Sequence, residues 1–476
     1  MLNHSYWNSK EQNGIEPAEK PHEECGVFAM FDNDGFDTAR ITYAGLFALQ
    51  HRGQESAGIA INKDREITLY KDRGLVQEVF SSDVLDKLKG RMAIGHVRYS
   101  TTGENSVLNA QPLVSRYVKG QLAMAVNGNL SNYRELKHRL ELDGAIFQTT
   151  NDTEIIMHLL ARARMKTGRV ETALAEVMKE LKGSYSLVMM SPQKLIACRD
   201  PQGMRPLCIG RIDNSFVIAS ETCALDTVRA EYVREVEPGE VVVIDADGMR
   251  TIRSNCGDPR TSRICIFEYL YFARSDSVIE GMSVHEARKL TGKILSETYP
   301  VEADLVAAVP DSGIDAAIGY AQAAGIPYGK ALVINRYVGR TFIQPSQEQR
   351  TTAVRLKINV LKDAVKGKRI VLVDDSIVRG TTSAKLVEML KEAGAKEVHM
   401  RISAPPFIWP CYFGTDIPSK EHLLACHYTV DEICRMLGAD SLGFMPVERL
   451  KEIVPEIRCS FCDGCFTGNY PYEHAD

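Results

Sequence analysis

The chain has 476 residues, with 44% hydrophobic and 25% charged residues, which are the proportions of a globular protein and exclude an intrinsically disordered one. The net charge of −5 gives no basic footprint for nucleic acid, and no uncharged apolar run approaches the roughly 18 residues of a membrane span. The length predicts two or three domains.

Residues 1–24 are polar and contain no apolar stretch of the kind found in a secretory leader. We therefore expect a cytoplasmic protein whose twelve cysteines are thiols or metal ligands rather than disulfides. An apolar segment begins abruptly at Cys25. Two interpretations are open for this residue. It is a small buried side chain in a first strand, or it is a nucleophile whose own α-amino group, exposed by removal of a propeptide of residues 1–24, serves as its base.

Strand-like and helical patterns alternate from Cys25 to about residue 252. Antiparallel strands on either side of the helices predict a four-layer α/β/β/α sandwich. The predicted helices cover 39–50, 131–142, 152–165 and 170–182, and the predicted strands include 57–62, 66–71, 92–98, 122–126 and 184–190.

Four short segments of this half carry a specific resemblance, and they are residues 25–28, 51–55, 95–101 and 127–130. Their order and content resemble the N-terminal-nucleophile glutamine amidotransferase family. The resemblance implies that Cys25 attacks the side-chain amide of glutamine and releases ammonia. It also implies that Asn127 and Gly128 form the oxyanion hole.

Two further residues would hold the substrate glutamine. Arg98 matches the α-carboxylate with a planar guanidinium, and Asp152 would bind the α-ammonium group. Taken singly, these features have simpler interpretations: an exposed arginine at a strand end, a hairpin turn at Asn127-Gly128, and a helix N-cap at Asp152.

The second half repeats a strand–turn–helix pattern after a polar junction at 253–262. Strands at 304–310, 369–373 and 397–403 alternate with helices at 314–324 and 381–393, which predicts a mostly parallel sheet. Ligands bind at the carboxyl ends of such strands, where Asp374 and Asp375 stand. The turn that follows offers N–H groups and hydroxyls to a phosphate.

This second motif closely resembles the phosphoribosyl-pyrophosphate site of type I phosphoribosyltransferases. The resemblance implies that Mg²⁺ is held by Ser312, Asp374 and Asp375. It implies that phosphoribosyl pyrophosphate is bound by Asp311, Ser312, Gly313, Asp374, Asp375, Arg379, Gly380, Thr381, Thr382 and Ser383. A basic segment at 335–345 is predicted to close over the substrate, with Arg336 and Arg340 against the pyrophosphate, although a solvated surface loop is the alternative.

Cysteines with metal-ligand spacing lie near the carboxyl terminus, at Cys459, Cys462 and Cys465. A four-thiolate centre needs partners from elsewhere, and the spacing alone does not choose between zinc and an iron–sulfur cluster. The whole chain from 25 to about 470 resembles the iron–sulfur branch of the amidophosphoribosyltransferase family. That resemblance implies a structural [4Fe–4S] cluster on Cys265, Cys411, Cys462 and Cys465, with Cys459 as a competing thiol.

The same resemblance implies the activity and the assembly. It implies an enzyme that converts glutamine and phosphoribosyl pyrophosphate to 5-phosphoribosylamine, glutamate and pyrophosphate, the first step of purine synthesis, as a homotetramer inhibited by purine nucleotides. The alternatives are an amidotransferase with another acceptor and a non-enzymatic sensor of phosphoribosyl pyrophosphate. The predicted domains are a propeptide (1–24), a glutamine amidotransferase domain (25–255), a phosphoribosyltransferase domain (256–440) and a C-terminal segment with the cysteines (441–476).

Overall fold

The computed structural model of the protein describes residues 25–99, 106–335, 357–415, 417 and 419–472. The predicted propeptide, and Arg336 and Arg340 of the predicted closing segment, lie outside these residues. None of the helices within the described ranges combines the length and the hydropathy needed to cross a bilayer.

The first half is a sandwich of two antiparallel sheets. Its strands are β1 (Gly26–Phe31), β2 (Ser56–Lys63), β3 (Glu66–Arg73), β4 (Met92–Arg98), β5 (Leu113–Tyr117), β6 (Gly120–Leu130), β7 (Gly183–Met190), β8 (Leu195–Arg199), β9 (Cys208–Ile212), β10 (Ser215–Ala219), β11 (Glu231–Glu235), β12 (Val241–Asp245) and β13 (Gly248–Ile252). Over the described residues, one sheet has seven strands in the order β11-β9-β10-β1-β4-β2-β3, and the other has six in the order β13-β12-β8-β7-β6-β5.

Helices cover the outer face of each sheet. They are α1 (Thr38–Ala48), α2 (Val76–Val79), α3 (Ser82–Lys87), α4 (Tyr133–Leu142), α5 (Thr153–Lys166), α6 (Val170–Val177) and α7 (Thr222–Thr227). Successive side chains of a strand point to opposite faces, so Val27 of β1 packs between the sheets with Ala125 of β6, while Phe28 packs outward with Leu46 of α1. The predicted α/β/β/α sandwich is confirmed.

The second half is built around a parallel sheet, which confirms the other part of the predicted fold. Its strands are β14 (Arg263–Cys265), β15 (Val278–Ile279), β16 (Met282–Ser283), β17 (Leu305–Ala308), β18 (Leu332–Ile334), β19 (Ile358–Val360), β20 (Arg369–Asp374), β21 (Glu397–Ile402), β22 (Ser441–Phe444) and β23 (Ser460–Cys462). Strands β17, β20, β21 and β22 are neighbours in that order, and each pair is parallel. The boundary expected after residue 440 therefore precedes a strand of this same sheet.

Helices pack on both faces of the parallel sheet and at its ends. They are α8 (Val284–Thr298), α9 (Ile314–Ala324), α10 (Lys362–Val365), α11 (Thr381–Glu392) and α12 (Val430–Leu437). A further short helix, α13 (Gly464–Thr467), follows β23 in the carboxyl-terminal tail and packs with the segment 264–273. A π-helical turn covers Glu268–Phe272, and short 3₁₀ segments cover Val107–Asn109, Pro259–Thr261, Lys420–His422, Leu424–Cys426 and Val447–Ile453. Strand β23 pairs in parallel with β14, so the carboxyl-terminal tail returns to the beginning of this half.

Candidate active sites

Cys25 lies immediately before β1, an inner strand of the seven-stranded sheet. Gly26 stands opposite Val97 of β4, which brings Cys25 next to Arg98 at the end of that strand. The Cys25 Sγ donates to the Tyr99 carbonyl oxygen at 3.6 Å, and the residue is only 9% exposed. Burial raises the pKa of the Cys25 thiol, an effect that the nearby Arg98 charge opposes. The thiol therefore needs a base to become a nucleophile at neutral pH.

Asn127 and Gly128 lie near the end of β6, in the facing sheet. Asn127 is fully buried, and neither polar atom of its side-chain amide has a hydrogen-bond partner among the described residues. A buried polar group without a partner costs about 1–3 kcal/mol, so such groups point to a ligand that supplies one. Gly128 has φ +142°, and a Cβ there would lie 2.1 Å from the Ser184 carbonyl oxygen, so only glycine fits.

Arg98 and Asp152 place opposite charges around the same thiol. Arg98 is 3% exposed, which excludes the alternative of a solvent-exposed arginine. Asp152 is the N-cap residue of α5, and its Oδ2 accepts from the Leu130 N–H of β6 at 2.9 Å. Burial raises the pKa of the Asp152 carboxyl to about 6. The Arg98 charge lowers the pKa of the Cys25 thiol and the Asp152 charge raises it, as expected of two groups close enough to bind one small substrate.

The predicted phosphoribosyl site lies at the carboxyl ends of the neighbouring strands β17 and β20. The Ser312 hydroxyl, in the turn after β17, donates to the Asp375 carboxylate after β20. Asp374 and Asp375 are 0% and 1% exposed. A Cβ on Gly313 would lie 2.4 Å from the Val373 carbonyl oxygen, so a glycine is required for the turn to sit this close to β20. The structure thus brings together two motifs that are about 60 residues apart in sequence.

The second turn of this site leads into α11. Gly380 is its N-cap residue and has φ +79°, a conformation that glycine adopts without strain. Arg379, Thr381 and Thr382 are partly exposed, whereas Ser383 is 3% exposed. The N-terminus of a helix that begins after such a turn directs N–H groups and its positive dipole end toward a bound phosphate.

Two of the predicted cluster cysteines meet directly, and the others lie nearby: Cys411 and Cys465 pack against the buried cluster that contains Cys265, as Cys459 does. Cys265 and Cys462 are register partners in the β14–β23 pair. Burial raises the pKa of both thiols to about 12. Cys411, Cys265 and Cys462 in turn raise the pKa of Cys465, after burial as the largest cause. Burial raises the pKa of the Cys459 thiol to about 11; the Glu280 charge adds to the rise and the Arg199 charge opposes it.

The cysteines are close in the fold but are not arranged as a preformed metal centre. Over the residues that the structure describes, no group of three or more Cys, His, Asp or Glu side chains has a geometry that would hold a metal ion. The donor set fits a four-thiolate centre chemically, since buried thiols that repel one another as thiolates are stabilised by a bound cation.

A buried ion-pair network beneath Cys25 was missed at the sequence level. Arg52, Arg205, Glu221 and Glu268 all have 0–1% exposure. The Arg52 guanidinium contacts both Glu221 and Glu268, although Glu268 is 216 residues away along the chain. The available signal was the single carboxylate of Glu268 in the apolar run 264–272, because a charge in such a run must find a buried partner.

Comparison with known proteins gives a consistent result for both halves. A family model described as a glutamine amidotransferase domain matches residues 96–227, and one described as a phosphoribosyl transferase domain matches residues 280–404. An amidophosphoribosyltransferase of Archaeoglobus fulgidus is 50% identical over 449 residues, covering 94% of this chain and 98% of that protein. One of Bacillus subtilis is 49% identical over 457 residues, covering 95% of each.

Solved structures match over the same length. The glutamine phosphoribosylpyrophosphate amidotransferase from B. subtilis, complexed with ADP and GMP, superimposes with a TM-score of 0.87 at 48% identity and covers 94% of this chain and 98% of that one. A structure described as the allosteric regulatory enzyme of purine biosynthesis gives a TM-score of 0.88 at 48% identity, with 95% and 97% coverage.

Proposed function

The chain belongs to the amidophosphoribosyltransferase family, and from that premise we propose how its residues carry out the reaction. It is an enzyme that transfers the amide nitrogen of glutamine to phosphoribosyl pyrophosphate in purine biosynthesis, yielding 5-phosphoribosylamine, glutamate and pyrophosphate. The two alternatives, a different acceptor and a non-enzymatic sensor, do not agree with these comparisons. The matching amidophosphoribosyltransferases align with this chain over nearly their whole length.

Glutamine binds in the first half with its α-carboxylate on Arg98 and its α-ammonium on Asp152. Cys25 Sγ attacks the side-chain carbonyl carbon, and the resulting oxyanion accepts hydrogen bonds from the Asn127 side-chain amide and the Gly128 N–H. Collapse of this intermediate expels ammonia and leaves a thioester on Cys25, which water hydrolyses to glutamate. The unpartnered amide of Asn127, fully buried, supports this assignment.

The proton of the thiol is taken by the α-amino group of Cys25 once residues 1–24 have been removed. This amine has an unperturbed pKa of about 7.7–8.0, so it is a competent base near neutral pH. Burial raises the pKa of the thiol, which supports the need for such a base. Mass spectrometry of the active enzyme tests the propeptide, since a mature chain that begins at Cys25 is expected and a retained Met1 would contradict it.

Ammonia attacks C1 of phosphoribosyl pyrophosphate in the second half, and pyrophosphate leaves. Asp374 and Asp375 hold the ribose hydroxyls, while the turn Asp311–Gly313 and Arg379 hold the pyrophosphate. Gly380, Thr381, Thr382 and Ser383 hold the 5′-phosphate. Mg²⁺, carried by Ser312, Asp374 and Asp375, would neutralise the charge that builds up on the leaving pyrophosphate. Arg336 and Arg340 remain proposed pyrophosphate contacts from outside the described residues.

The cysteines and the assembly complete the proposal. Cys265, Cys411, Cys462 and Cys465 would hold a [4Fe–4S] cluster that links the carboxyl-terminal tail to β14 and does no redox work. We also propose a cytoplasmic homotetramer regulated by purine nucleotides. The regulation is supported by a relative that was solved with ADP and GMP. An absorption spectrum of anaerobically purified protein tests the cluster, because bound zinc without a brown chromophore would contradict it.

The observation that carries the proposal is a set of buried residues in which Arg98 lies beside Cys25 and Asp152 bonds to the strand that carries Asn127. Cys25→Ala is expected to lower glutamine-dependent pyrophosphate release by at least about 10⁴-fold, because the nucleophile is lost. Free ammonium salts should still support the reaction in this variant. Residual glutamine use near the wild-type rate would refute the role of Cys25, and loss of both activities would show that the variant is misfolded.

A further inference from the structure

We propose that Glu268, a residue of the second half, positions the nucleophile of the first half by acting through Arg52 on the main chain of Cys25. This inference depends on the assignment of Cys25 as the nucleophile and adds a residue from the other domain to the glutamine half-reaction. Glu268 touches no substrate atom in this scheme, so it is a positioning residue rather than a catalytic one.

The contact with the nucleophile is made by Arg52. Its Nε donates to the Cys25 carbonyl oxygen at 3.1 Å. Its two terminal nitrogens donate to the two Glu268 carboxylate oxygens at 2.9 Å and 2.8 Å. Both side chains are fully buried. A bidentate guanidinium–carboxylate pair fixes direction as well as distance, so the orientation of Glu268 determines where the Arg52 Nε–H points.

The position of the Cys25 carbonyl matters because the same residue carries the attacking sulfur. Glu221 also binds Arg52, at 2.7 Å, and so holds the guanidinium from within the first half. Glu268 accepts from both terminal nitrogens of Arg52 and so holds the guanidinium from the second half. A misplacement of about 1 Å between reacting groups can cost about 10²-fold in rate. Loosening Arg52 is therefore expected to slow the chemical step of the glutamine reaction.

A second route leads from Glu268 to the oxyanion strand. Arg205 donates to Glu268 at 3.2 Å and to the Phe413 carbonyl oxygen at 2.7 Å. The same carbonyl oxygen accepts from the Ser184 hydroxyl at 2.6 Å, and Ser184 stands opposite Asn129 in the β6–β7 pair.

The loop that contains Phe413 also holds the oxyanion strand directly. The Asn129 side-chain amide donates to the Tyr412 carbonyl oxygen at 3.0 Å, two residues from Asn127. Through Arg52 and Arg205, Glu268 therefore connects to the chain segment that bears the sulfur and to the segment that bears the oxyanion donors. Both segments must keep their relative position for the attack to succeed.

The test compares Glu268→Gln with Glu280→Gln in the otherwise complete enzyme. Glu280 is a suitable control because it also pairs across the two halves, but with Arg199, at 2.8 Å, rather than with Arg52. For Glu268→Gln we expect kcat with glutamine to fall about 10²-fold, while the KM for glutamine and the ammonia-dependent rate stay within about threefold. Glu280→Gln should leave kcat with glutamine, the KM for glutamine and the ammonia-dependent rate within about threefold of wild type.

Two results would overturn the proposal. One is an equal fall of the ammonia- and glutamine-dependent rates, which indicates a merely structural role. The other is an unchanged kcat with glutamine. Since Glu268→Gln leaves two buried guanidinium groups with less negative charge, Glu268→Asp serves as a second variant that keeps the charge and shortens the reach. It is expected to lower kcat with glutamine about tenfold, and an unchanged kcat in a folded Glu268→Asp enzyme also overturns the proposal.

The Cys25→Ala variant, measured alongside, separates this proposal from the one on which it rests. If Cys25→Ala still uses glutamine, the nucleophile assignment itself is wrong. If Cys25→Ala loses glutamine use while both Glu268 variants keep it, only the positioning role of Glu268 is wrong.

Discussion

The two candidate active sites are built in different ways. The glutamine site consists of buried side chains at the ends of antiparallel strands: Cys25, Arg98, Asn127 and Asp152 are each 9% exposed or less. The phosphoribosyl site consists mainly of turns at the carboxyl ends of parallel strands, where Gly313 and Gly380 are N-cap residues of helices. The first site is a side-chain arrangement that the tertiary fold must hold in place. The second is largely a main-chain arrangement that local sequence specifies.

This difference predicts different consequences of mutation, and the effect that reaches both nitrogen sources belongs to the phosphoribosyl site. Asp375→Asn is expected to lower both the glutamine-dependent and the ammonia-dependent rates by about 10³-fold, equal to ~4 kcal/mol, because both reactions end on the same sugar. The measurement is pyrophosphate release with each nitrogen source at saturating phosphoribosyl pyrophosphate and Mg²⁺.

The matched control is Asp304→Asn. Asp304 precedes β17 and pairs with Arg369 at the opposite end of the same strands, so its loss should leave both rates unchanged. A large fall in only the glutamine-dependent rate of Asp375→Asn would contradict the assignment of Asp375 to the sugar site.

A smaller and more selective effect is expected at the glutamine site. Asn127→Ala removes one oxyanion donor, so kcat with glutamine should fall about 10²–10³-fold while the ammonia-dependent rate is kept. Steady-state kinetics with both nitrogen sources measures this. Asn132→Ala, which removes an asparagine that bonds to Glu180 and Lys182 farther along the chain, is the control and should behave as wild type. An Asn127→Ala enzyme of normal kcat would exclude the oxyanion role.

The smallest effect concerns the stability of the free enzyme and its dependence on pH. Burial raises the pKa of Asp152 from 3.8 to about 6, so the empty site favours the protonated carboxyl. The contribution of the protonated Asp152 carboxyl to the free energy of unfolding is complete below pH 4 and is lost as the pH rises through 6. Asp152→Asn should therefore have a higher Tm than wild type at pH 8, with a free energy of unfolding larger by up to about 3 kcal/mol, and the difference should shrink toward pH 4.5.

The same carboxyl is expected to govern glutamine binding in the opposite sense. The α-ammonium group needs the ionised form, so the KM for glutamine should rise about tenfold per pH unit below pH 6 in wild type. Asp152→Asn should have a high KM that does not change over this range. Thermal unfolding without glutamine, together with KM measured between pH 5 and 8, checks both statements; a Tm difference that grows on acidification would contradict the first.

Local sequence was sufficient for those parts of the sites that are made by turns and strand ends. The glycine-containing turns around Gly313 and Gly380 are encoded within a few residues, and the alternation of side chains places Asn127 at the end of a buried strand. The Arg52–Glu268 pair could not be predicted this way, because 216 residues separate its members and neither segment contains a pattern that refers to the other.

Two further features required the tertiary structure. Strand β22 completes the parallel sheet beyond residue 440, although its short sequence has no distinctive pattern of its own. The pairing of Cys462 with Cys265 also depends on the fold, because the spacing of Cys459 from Cys462 equals that of Cys462 from Cys465. Sequence spacing identifies a set of candidate ligands, whereas strand pairing decides which of them meet.

The pairing of β14 with β23 has a consequence for how the chain folds during its synthesis. About 200 further residues must be synthesised after β14 before its partner β23 is available. All the strands of the sandwich, residues 25–252, are available much earlier. Domains generally fold as units in the order of synthesis, so the sandwich can close first and the cysteine-rich tail last. Until residues 460–462 emerge, β14 is an open strand edge, and nascent chains halted in this interval are the ones most exposed to aggregation.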